Sequence, residues 1–311
     1  MKDNRYKDMI IDYDLIIIGA GPAGLTAAIY ASRNDLKTLM LEKSAPGGKL
    51  VKTNEISNYP GTIHASGTDL AIKMYEHATA YNAEYAYGDI IDIKDNKQYK
   101  EVICTDKTYT SKAIIIATGT NERLLNVPNE QKFIGRGISF CAICDAAFYK
   151  NKTVTVIGGG NSALEEALYL ANIVDKLNLV IRRDVFRANI DIQEKVLNNP
   201  KITIYRNYIV KDVIGEDSIT GIKLENTKTN EILDLETSGI FPYIGSDPAT
   251  QFINLDILND NKYIKVNNNM ETSIKGIYAA GDVVDKHIRQ VVTATNDGAI
   301  AAQSAFHYIK D

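Results

Sequence analysis

Several features that would point to particular classes of protein are scarce or missing in this sequence. The 311 residues carry a net charge of −4, so no basic field for nucleic acid is present. The longest apolar runs are far too short to cross a bilayer. The N-terminus has mixed charges and no apolar segment before the first predicted strand, so a secretory signal is not expected. We therefore expect a cytoplasmic protein with no nucleic-acid and no membrane partner.

Cysteine and histidine are also scarce, with three and four residues respectively. The histidines are scattered and do not complete a set of zinc ligands with the cysteines, so no metal site is expected. Cys104 lies in a strand-like segment without a nearby cysteine and is interpreted as a small core residue. The other two cysteines, Cys141 and Cys144, are separated by two residues.

The segment from Cys141 to Asp145 is the centre of the sequence, because two nucleotide-binding signatures flank it. A CxxC loop suits disulfide exchange, since its geometry allows a strained, reducible bond and a helix starting at the second cysteine lowers a thiol pKa. The alternatives are half of a zinc site and a purely structural disulfide. A structural bridge is disfavoured because so short a loop stabilises little and reducing compartments oppose it.

The first signature follows an apolar run at 15–18 and precedes a predicted helix at 25–33. Its candidate nucleotide-binding residues are Gly19, Gly21, Pro22, Ala23 and Gly24. In such a strand-turn-helix unit the first glycine makes the turn, the second lets the backbone approach a pyrophosphate, and the third allows close helix packing. Glu42 ends the next predicted strand, where a carboxylate can bind ribose hydroxyls.

The pattern recurs after the cysteines, between a predicted strand at 153–157 and a predicted helix at 162–172. The candidate residues here are Gly158, Gly160, Asn161, Ser162 and Ala163. Where the first module has its acid, the second carries Arg182, Arg183 and Arg187, which suit a 2′-phosphate. The first module therefore suits FAD or NAD, and the second NADP. The alternative is a solvated turn whose arginines pair with acids such as Asp184 or Glu194.

Three other segments are candidates for contact with a flat cofactor. Gly48 and Asn58 lie in glycine- and proline-bearing loops, whose alternative interpretation is ordinary surface turns. Asp282 follows a predicted strand, where it could contact a ribityl chain or a water bound to pyrophosphate. A predicted helix from Gln290 to Ala305 could set its N-terminal N–H groups near the pyrimidine edge of a flavin.

The repeat of the glycine signature predicts the fold class. We expect an α/β protein with two Rossmann-like nucleotide-binding domains that contain parallel sheets, the second inserted in the first. Residues 1–118 and 247–311 would form a discontinuous FAD-binding domain, and residues 119–246 the NADPH-binding domain that carries the CxxC redox disulfide. Two short linkers, around Thr120 and Ser246, would join the domains and permit a rigid rotation.

The order and spacing of these motifs resemble those of the low-molecular-weight bacterial thioredoxin reductases, over essentially all residues after about Tyr13. The matching segments are 19–24, 58–61, 117–119, 141–145, 158–166, 182–187, 281–282 and 289–291. The resemblance implies that FAD is bound by the candidates of the first domain and by a further set, which comprises Thr118, Gly119, Gly281, Arg289, Gln290 and Val291. It implies that NADPH binds the second glycine loop and the three arginines.

The resemblance also implies a function. A protein of this kind is a homodimeric flavoprotein that passes a hydride from NADPH to FAD, then two electrons to the CxxC disulfide, and on to thioredoxin or a thioredoxin-like protein. Cys144 would face the flavin, Cys141 would attack the substrate disulfide, and Asp145 would transfer the proton. The alternative role of Asp145 is a helix N-cap, which is compatible with proton transfer. Because the cysteines and the nicotinamide site share a domain, a domain rotation is expected to gate turnover.

The sequence departs from the family pattern at three positions, which concern the electron donor. Ile181 stands where a histidine usually precedes the arginine pair, Ser246 where a histidine commonly follows the closing strand, and Lys49 where glutamine is frequent. One alternative is therefore a ferredoxin-dependent flavin thioredoxin reductase, although such a protein would be expected to lack the second glycine turn and the arginines. Another alternative is a redox-sensing flavoprotein, for which we find no appended effector domain.

Overall fold

The computed structural model describes residues 11–53, 56, 58–286 and 288–310, with the backbone alone for residues 52, 143 and 144. The chain divides into two compact units. The first unit contains the described residues up to Asn121 and from Pro248 onward, and the second unit runs from Glu122 to Asp247. Which nucleotide each unit binds stays a prediction.

Strands and helices alternate through much of the chain. In chain order the described strands are β1 (Tyr13–Ile18), β2 (Thr38–Glu42), β3 (Glu84–Tyr87), β4 (Ile90–Asp95), β5 (Lys100–Cys104), β6 (Thr108–Ile116), β7 (Thr120–Glu122), β8 (Thr153–Ile157), β9 (Lys176–Ile181), β10 (Ile202–Arg206), β11 (Tyr208–Gly215), β12 (Ile219–Asn226), β13 (Ile232–Glu236), β14 (Gly239–Pro242), β15 (Ser246–Pro248) and β16 (Ile277–Ala279). The described α-helices are α1 (Pro22–Arg33), α2 (Gly67–Thr79), α3 (Glu130–Phe133), α4 (Ala142–Asp145), α5 (Asn161–Ala171), α6 (Ile190–Leu197) and α7 (Val291–Lys310). The predicted α/β class is confirmed by this order of elements.

A seven-stranded sheet runs through the described part of the first unit, in the order β3-β2-β1-β6-β5-β4 with β16 paired to β6. β1 lies parallel to β2 and β6, β2 to β3, and β16 to β6. β5 instead pairs antiparallel with β4 and with β6. Residues 15–18 and 113–116 are buried, as expected of central strands whose two faces are both covered.

Helices α1 and α7 pack against one another over one face of this sheet, and glycine makes their contact close. A Cβ on Gly298 of α7 would lie 2.2 Å from the carbonyl oxygen of Ala23 in α1. Only a residue without a side chain permits that approach. A Cβ on Gly281 would lie 2.8 Å from the Cβ of the same Ala23. The start of α1, the turn after β16 and helix α7 therefore meet at one place.

Four parallel strands form the main sheet of the second unit, in the order β10-β9-β8-β14. Strands β11, β12 and β13 form a separate antiparallel sheet. Helices α4 and α5 share one hydrophobic cluster with β8 and β9. The cysteine-bearing segment is therefore packed on the helix that follows the second glycine loop. The chain enters and leaves this unit through β7 and β15.

The described elements agree with the predicted ones in kind, and several of them differ at their ends. β8 occupies the predicted residues 153–157. α1 begins at Pro22 rather than at Leu25, because proline is favoured at the first position of a helix. α7 continues past the predicted end at Ala305 to Lys310. None of the described helices combines the length and the apolar character that a membrane span requires.

Candidate active site

The loop between β1 and α1 requires glycine at its first position. Gly19 has a φ of +102°, and a Cβ there would lie 2.4 Å from the carbonyl oxygen of Ala117. A Cβ on Gly24 would lie 1.8 Å from the carbonyl oxygen of Gly19, so helix and strand also meet without side chains. Helix α1 has Gly21 as its cap, with no side-chain cap and no acidic residue in its first turn. The N–H groups at the start of α1 can therefore bind an anionic group.

The loop that contains Gly47 and Gly48 contacts the loop between β1 and α1 through backbone atoms. The N–H of Gly47 donates to the carbonyl oxygen of Ala20 at 2.7 Å. A Cβ on Gly21 would lie 3.9 Å from the Cα of Gly48, and no other atom of the described residues would be within 4 Å. The surface beside Gly21 is therefore open, which a ligand that approaches the backbone needs.

The carboxylate of Glu42 lies beside the same loop. Its Oε2 accepts the N–H of Ala20 at 2.9 Å, and its Oε1 accepts the N–H and the hydroxyl of Ser44 at 3.0 and 2.9 Å. A carboxylate has about four acceptor sites, so these three bonds leave capacity for a ligand hydroxyl. The structure thus places this acid at the glycine loop, where the sequence predicts a ribose contact.

Asp282 lies in the turn after β16 within a group of cations. Burial raises the pKa of Asp282, and the charges of Lys49, Lys286 and Arg289 oppose that rise. The Nε of Arg289 also donates to the carbonyl oxygen of Asp282 at 3.5 Å, and its guanidinium lies 4.5 Å from the ring centroid of Tyr263. The carboxyl group of Asp282 can accept hydrogen bonds from the hydroxyl groups of a ligand.

Sequence reasoning misses Asp297, a buried acid of α7 that organises this turn. Its Oδ2 accepts the N–H of Gly281 at 3.0 Å and the Nζ of Lys286 at 2.5 Å. Its helix face includes the buried residues Ala294, Asp297, Gly298 and Ala301. An acid within such a stripe of small residues, spaced at i, i+3, i+4 and i+7, is the sequence signal that could have found it.

The other predicted FAD-binding residues lie beside this loop or contact one another. A Cβ on Gly19 would lie 3.1 Å from the Cα of Thr118. The side-chain amide of Asn58 donates to the Oε1 of Gln290 at 3.0 Å, although the two are 232 positions apart. The sequence neighbours of Thr118 and Gln290 complete this set, namely Gly119 and Val291. The structure therefore brings together residues from both ends of the sequence.

Cys141 is disulfide-bonded and stands immediately before α4. The prediction that a helix starts at the second cysteine is wrong, because α4 begins at Ala142. Two hydroxyl groups explain the earlier start: the N–H of Cys141 donates to Ser139 Oγ at 3.1 Å, and the N–H of Ala142 donates to the Tyr243 hydroxyl at 2.8 Å. The side chain of Cys144 lies outside the described residues.

The loop after β8 repeats the geometry of the first glycine loop. Gly158 has a φ of +142°, and a Cβ there would lie 2.3 Å from the carbonyl oxygen of Tyr243, which follows β14. Gly160 caps α5 without a side chain, and a Cβ on it would meet no atom of the described residues within 4 Å. The Oδ1 of Asn161 accepts the N–H of Asn189 at 2.7 Å. The start of α5 is therefore also open to an anion.

The three arginines predicted to bind a phosphate follow β9 and are exposed, namely Arg182, Arg183 and Arg187. None of them forms an ion pair within the described part of the chain. Asp184, which the alternative interpretation would pair with them, instead binds Lys228, and this contact lowers the pKa of Asp184. The guanidinium groups are therefore available to a ligand phosphate.

The chain matches the model of the pyridine nucleotide-disulphide oxidoreductase family over residues 13–298. It belongs to that family. The thioredoxin reductase of Bacillus subtilis strain 168 is 47% identical over 301 residues, which cover 96% of this chain and 95% of that protein. That of Listeria monocytogenes is 46% identical over 96% of this chain and 94% of its own. The crystal structure of Lactococcus lactis thioredoxin reductase matches with a TM-score of 0.83 at 42% identity, over 96% of this chain and 99% of that one. The predicted resemblance is confirmed.

This member of the pyridine nucleotide-disulphide oxidoreductase family has a second acid that sequence reasoning misses, the partly buried Glu166. The Oε2 of Glu166 is buried without a hydrogen-bond partner among the described residues. Burial raises the pKa of Glu166 from its ordinary value of 4.5 to about 7, and the neighbouring Glu165 adds to the rise. Its face of α5 carries Ala163, Glu166, Ala167 and Leu170. The spacing is the same as that around Asp297.

Replacing Glu166 by glutamine should make the stability of the protein less dependent on pH. The carboxyl ionises at 4.5 in the unfolded chain and at about 7 in the folded protein, so the wild type loses stability as the pH rises between these values. We expect the free energy of unfolding of Glu166→Gln to exceed that of the wild type by about 1–3 kcal/mol at pH 8 and to equal it below pH 4.5. Thermal unfolding across this range measures the difference. Glu165→Gln, a change at the exposed neighbour, should keep most of the pH dependence of the wild type, because burial is the larger cause of the raised pKa of Glu166. A gain independent of pH in Glu166→Gln would contradict the expectation.

Proposed function

We propose that this chain is an NADPH-dependent thioredoxin-disulfide reductase. A hydride passes from NADPH to FAD, two electrons pass to a Cys141–Cys144 disulfide, and thioredoxin or a thioredoxin-like protein is reduced. The observation that carries the proposal is a disulfide-bonded Cys141 at the start of a helix, in a chain with two glycine loops that open at helix N-termini. A homodimer in the cytoplasm is part of the same proposal, and sedimentation as a monomer would contradict the dimer.

The residues of the first unit fit FAD. The open N-terminus of α1 suits a pyrophosphate, the carboxylate of Glu42 suits ribose hydroxyls, and Asp282 suits ribityl hydroxyls. FAD, when bound, supplies the capacity to accept a hydride and to deliver electrons to a disulfide. The three cations around Asp282 favour a ligand that carries negative charge.

The residues of the second unit fit NADPH. The open N-terminus of α5 suits a pyrophosphate, and the three exposed arginines suit a 2′-phosphate, which NADH lacks. Ile181, which replaces a histidine of the family pattern, is buried and lies 3.4 Å from the Cβ position of Gly159. It therefore packs beneath the loop and leaves the arginines in place. The substitution gives no support to a ferredoxin-dependent reductase.

The cysteine segment supplies the exchange chemistry. After reduction, the thiolate of Cys141 attacks one sulfur of the partner's disulfide, and the other partner sulfur leaves as a thiolate. The thiolate of Cys144 then attacks Cys141 in the mixed disulfide and releases the second partner sulfur, so the protein disulfide forms again. Asp145, at the end of α4, is proposed to supply the proton that the leaving sulfur takes up.

Replacing Cys141 should separate the two halves of this reaction. In Cys141→Ser, NADPH should still bleach the flavin in an anaerobic titration, but thioredoxin added next should no longer recover the oxidised flavin spectrum. Cys104→Ala is the matched control, because Cys104 is a free, buried thiol of the first unit. That variant should turn over as the wild type does. Thioredoxin reduction by Cys141→Ser, or a purified protein that binds no flavin, would contradict the proposed function.

Removing two of the exposed arginines should weaken selection for the 2′-phosphate. A charge-assisted hydrogen bond contributes about 1.5–3 kcal/mol, so Arg182→Ala with Arg183→Ala should raise the KM for NADPH by about tenfold or more. The KM for NADH should stay the same, which separates phosphate binding from damage to the fold. Arg136→Ala changes an exposed arginine elsewhere in the second unit and should affect neither KM. Equal changes for NADPH and NADH would exclude the proposed role.

A rotation of one unit relative to the other is proposed to gate turnover. The cysteine helix and the second glycine loop belong to the same unit, so the disulfide and a bound nicotinamide cannot both occupy the flavin at once. A reversible crosslink that ties the two units together should stop turnover while FAD stays bound. Cleavage of the crosslink should restore the rate. Undiminished steady-state turnover in the crosslinked protein would refute gating.

A further inference from the structure

Helix α5 carries an acid, Glu166, on the face that packs into the second unit, and one of its carboxylate oxygens has no hydrogen-bond partner among the described residues. Glu166 shares this face with three buried apolar residues. Its Oε2 is buried and has no hydrogen-bond partner within the range that the structure describes. Asp297 has the equivalent position in the stripe of α7, but it binds a backbone N–H and a lysine. A buried polar group without a partner costs stability, so a stabilising role does not explain Glu166.

The cysteine helix packs against this part of α5. Ala142 of α4 belongs to the same hydrophobic cluster as Ala163 and Ala167. Tyr243 interacts with both helices. Its hydroxyl accepts the N–H of Ala142 in α4 at 2.8 Å. Burial, and next the charge of Glu166, raise the pKa of Tyr243, so this hydroxyl keeps its proton. The charge of Glu166 therefore acts on a hydroxyl that itself contacts the peptide after Cys141.

Among the described residues, the charged groups that shift the pKa of Glu166 and the pKa of Tyr243 are acids. On α5 the neighbour of Glu166 is Glu165, and the segment after β14 contributes Tyr243. Asp145 of α4 and Glu122 of β7 act on Tyr243 in turn. Each of these groups is neutral or anionic. The charges of these acids therefore oppose a thiolate formed at the start of the cysteine helix.

We propose that Glu166 is a positioning residue for the disulfide chemistry, and that the charge of its carboxyl, acting through Tyr243 on the start of the cysteine helix, controls how readily the reduced thiols ionise. The inference rests on the proposed function, since it treats Cys141 as part of a redox disulfide. Two electrons break the S–S bond and leave two thiolate sulfurs, each of which takes a proton from solvent when its surroundings oppose the charge. Protonated Glu166 lets one sulfur stay ionised, whereas anionic Glu166 opposes it.

The test compares the ionisation of the thiols with and without the charge of Glu166. Glu166→Gln removes the charge and keeps the size of the side chain. Wild type and variant are reduced with excess dithiothreitol, freed of the reductant under nitrogen, and alkylated with iodoacetamide from pH 5 to pH 9. Mass spectrometry of the tryptic peptide 137–150, which contains both cysteines, follows the first alkylation. Only the thiolate reacts, so the profile should shift to lower pH, with alkylation on the order of threefold faster at pH 7.

Two further variants make the test specific. Glu165→Gln makes the same change of charge at the exposed neighbour, where it removes only the smaller contribution to the pKa of Glu166, and should move the profile much less than Glu166→Gln does. In a Tyr243→Phe background, Glu166→Gln should shift the profile less, because the hydroxyl that contacts Ala142 is gone. The buried thiol of Cys104 should stay unreactive in every folded variant, which checks the fold.

The outcomes decide the proposal without any turnover assay. A Glu166→Gln profile that superimposes on the wild type, or an equal shift in Glu165→Gln, overturns the role of Glu166. A full shift in the Tyr243→Phe background overturns the route through Tyr243. Neither NADPH nor thioredoxin enters the measurement, so a failure of the proposed reductase activity would be seen separately and would leave the thiol profiles interpretable.

Discussion

Both units depend on one steric constraint, the close approach of a glycine to the backbone of a neighbouring strand. A Cβ on Gly19 would lie 2.4 Å from the carbonyl oxygen of Ala117, and a Cβ on Gly158 would lie 2.3 Å from that of Tyr243. In each case the carbonyl belongs to the residue just after a parallel partner strand, β6 or β14. Any side chain at these glycines would force the two strand ends apart. The constraint therefore sets the turn, and with it the helix that begins there.

Tyr243 links that constraint to the cysteine segment within the second unit. Its carbonyl oxygen lies against Gly158, and its hydroxyl accepts the N–H of Ala142. Burial raises the pKa of Tyr243, so the hydroxyl stays protonated throughout the ordinary pH range. A single residue therefore fixes the position of both the glycine loop and the start of α4. A displacement of the glycine loop would also displace the start of α4, because the backbone and the ring of Tyr243 belong to one residue and cannot move independently.

Features that depend on local sequence could be predicted, and features that depend on distant pairing could not. β8 stands at its predicted residues because an apolar run followed by glycines marks both its ends. The contact of Asp184 with Lys228 could not be predicted, since the two lie 44 positions apart and follow strands of two different sheets. Glu166 and Asp297 were missed because an acid on a helix usually marks a solvated face. The binding and catalytic roles of the predicted site residues stay predictions.

Asp297, which is buried, and Glu166, which is partly buried, show how the charge of each site differs. Asp297 binds Lys286, and Lys49 and Arg289 act on Asp282 nearby, so the first site has positive neighbours. The described groups around Glu166 are acids and a phenol. Surroundings that oppose a thiolate destabilise the reduced cysteines relative to their disulfide, and the reduction potential of the pair falls. A pair of low potential gives its electrons to a partner's disulfide and seldom takes them back, so the acidic surroundings of the cysteine helix favour the direction of electron flow that a disulfide reductase requires.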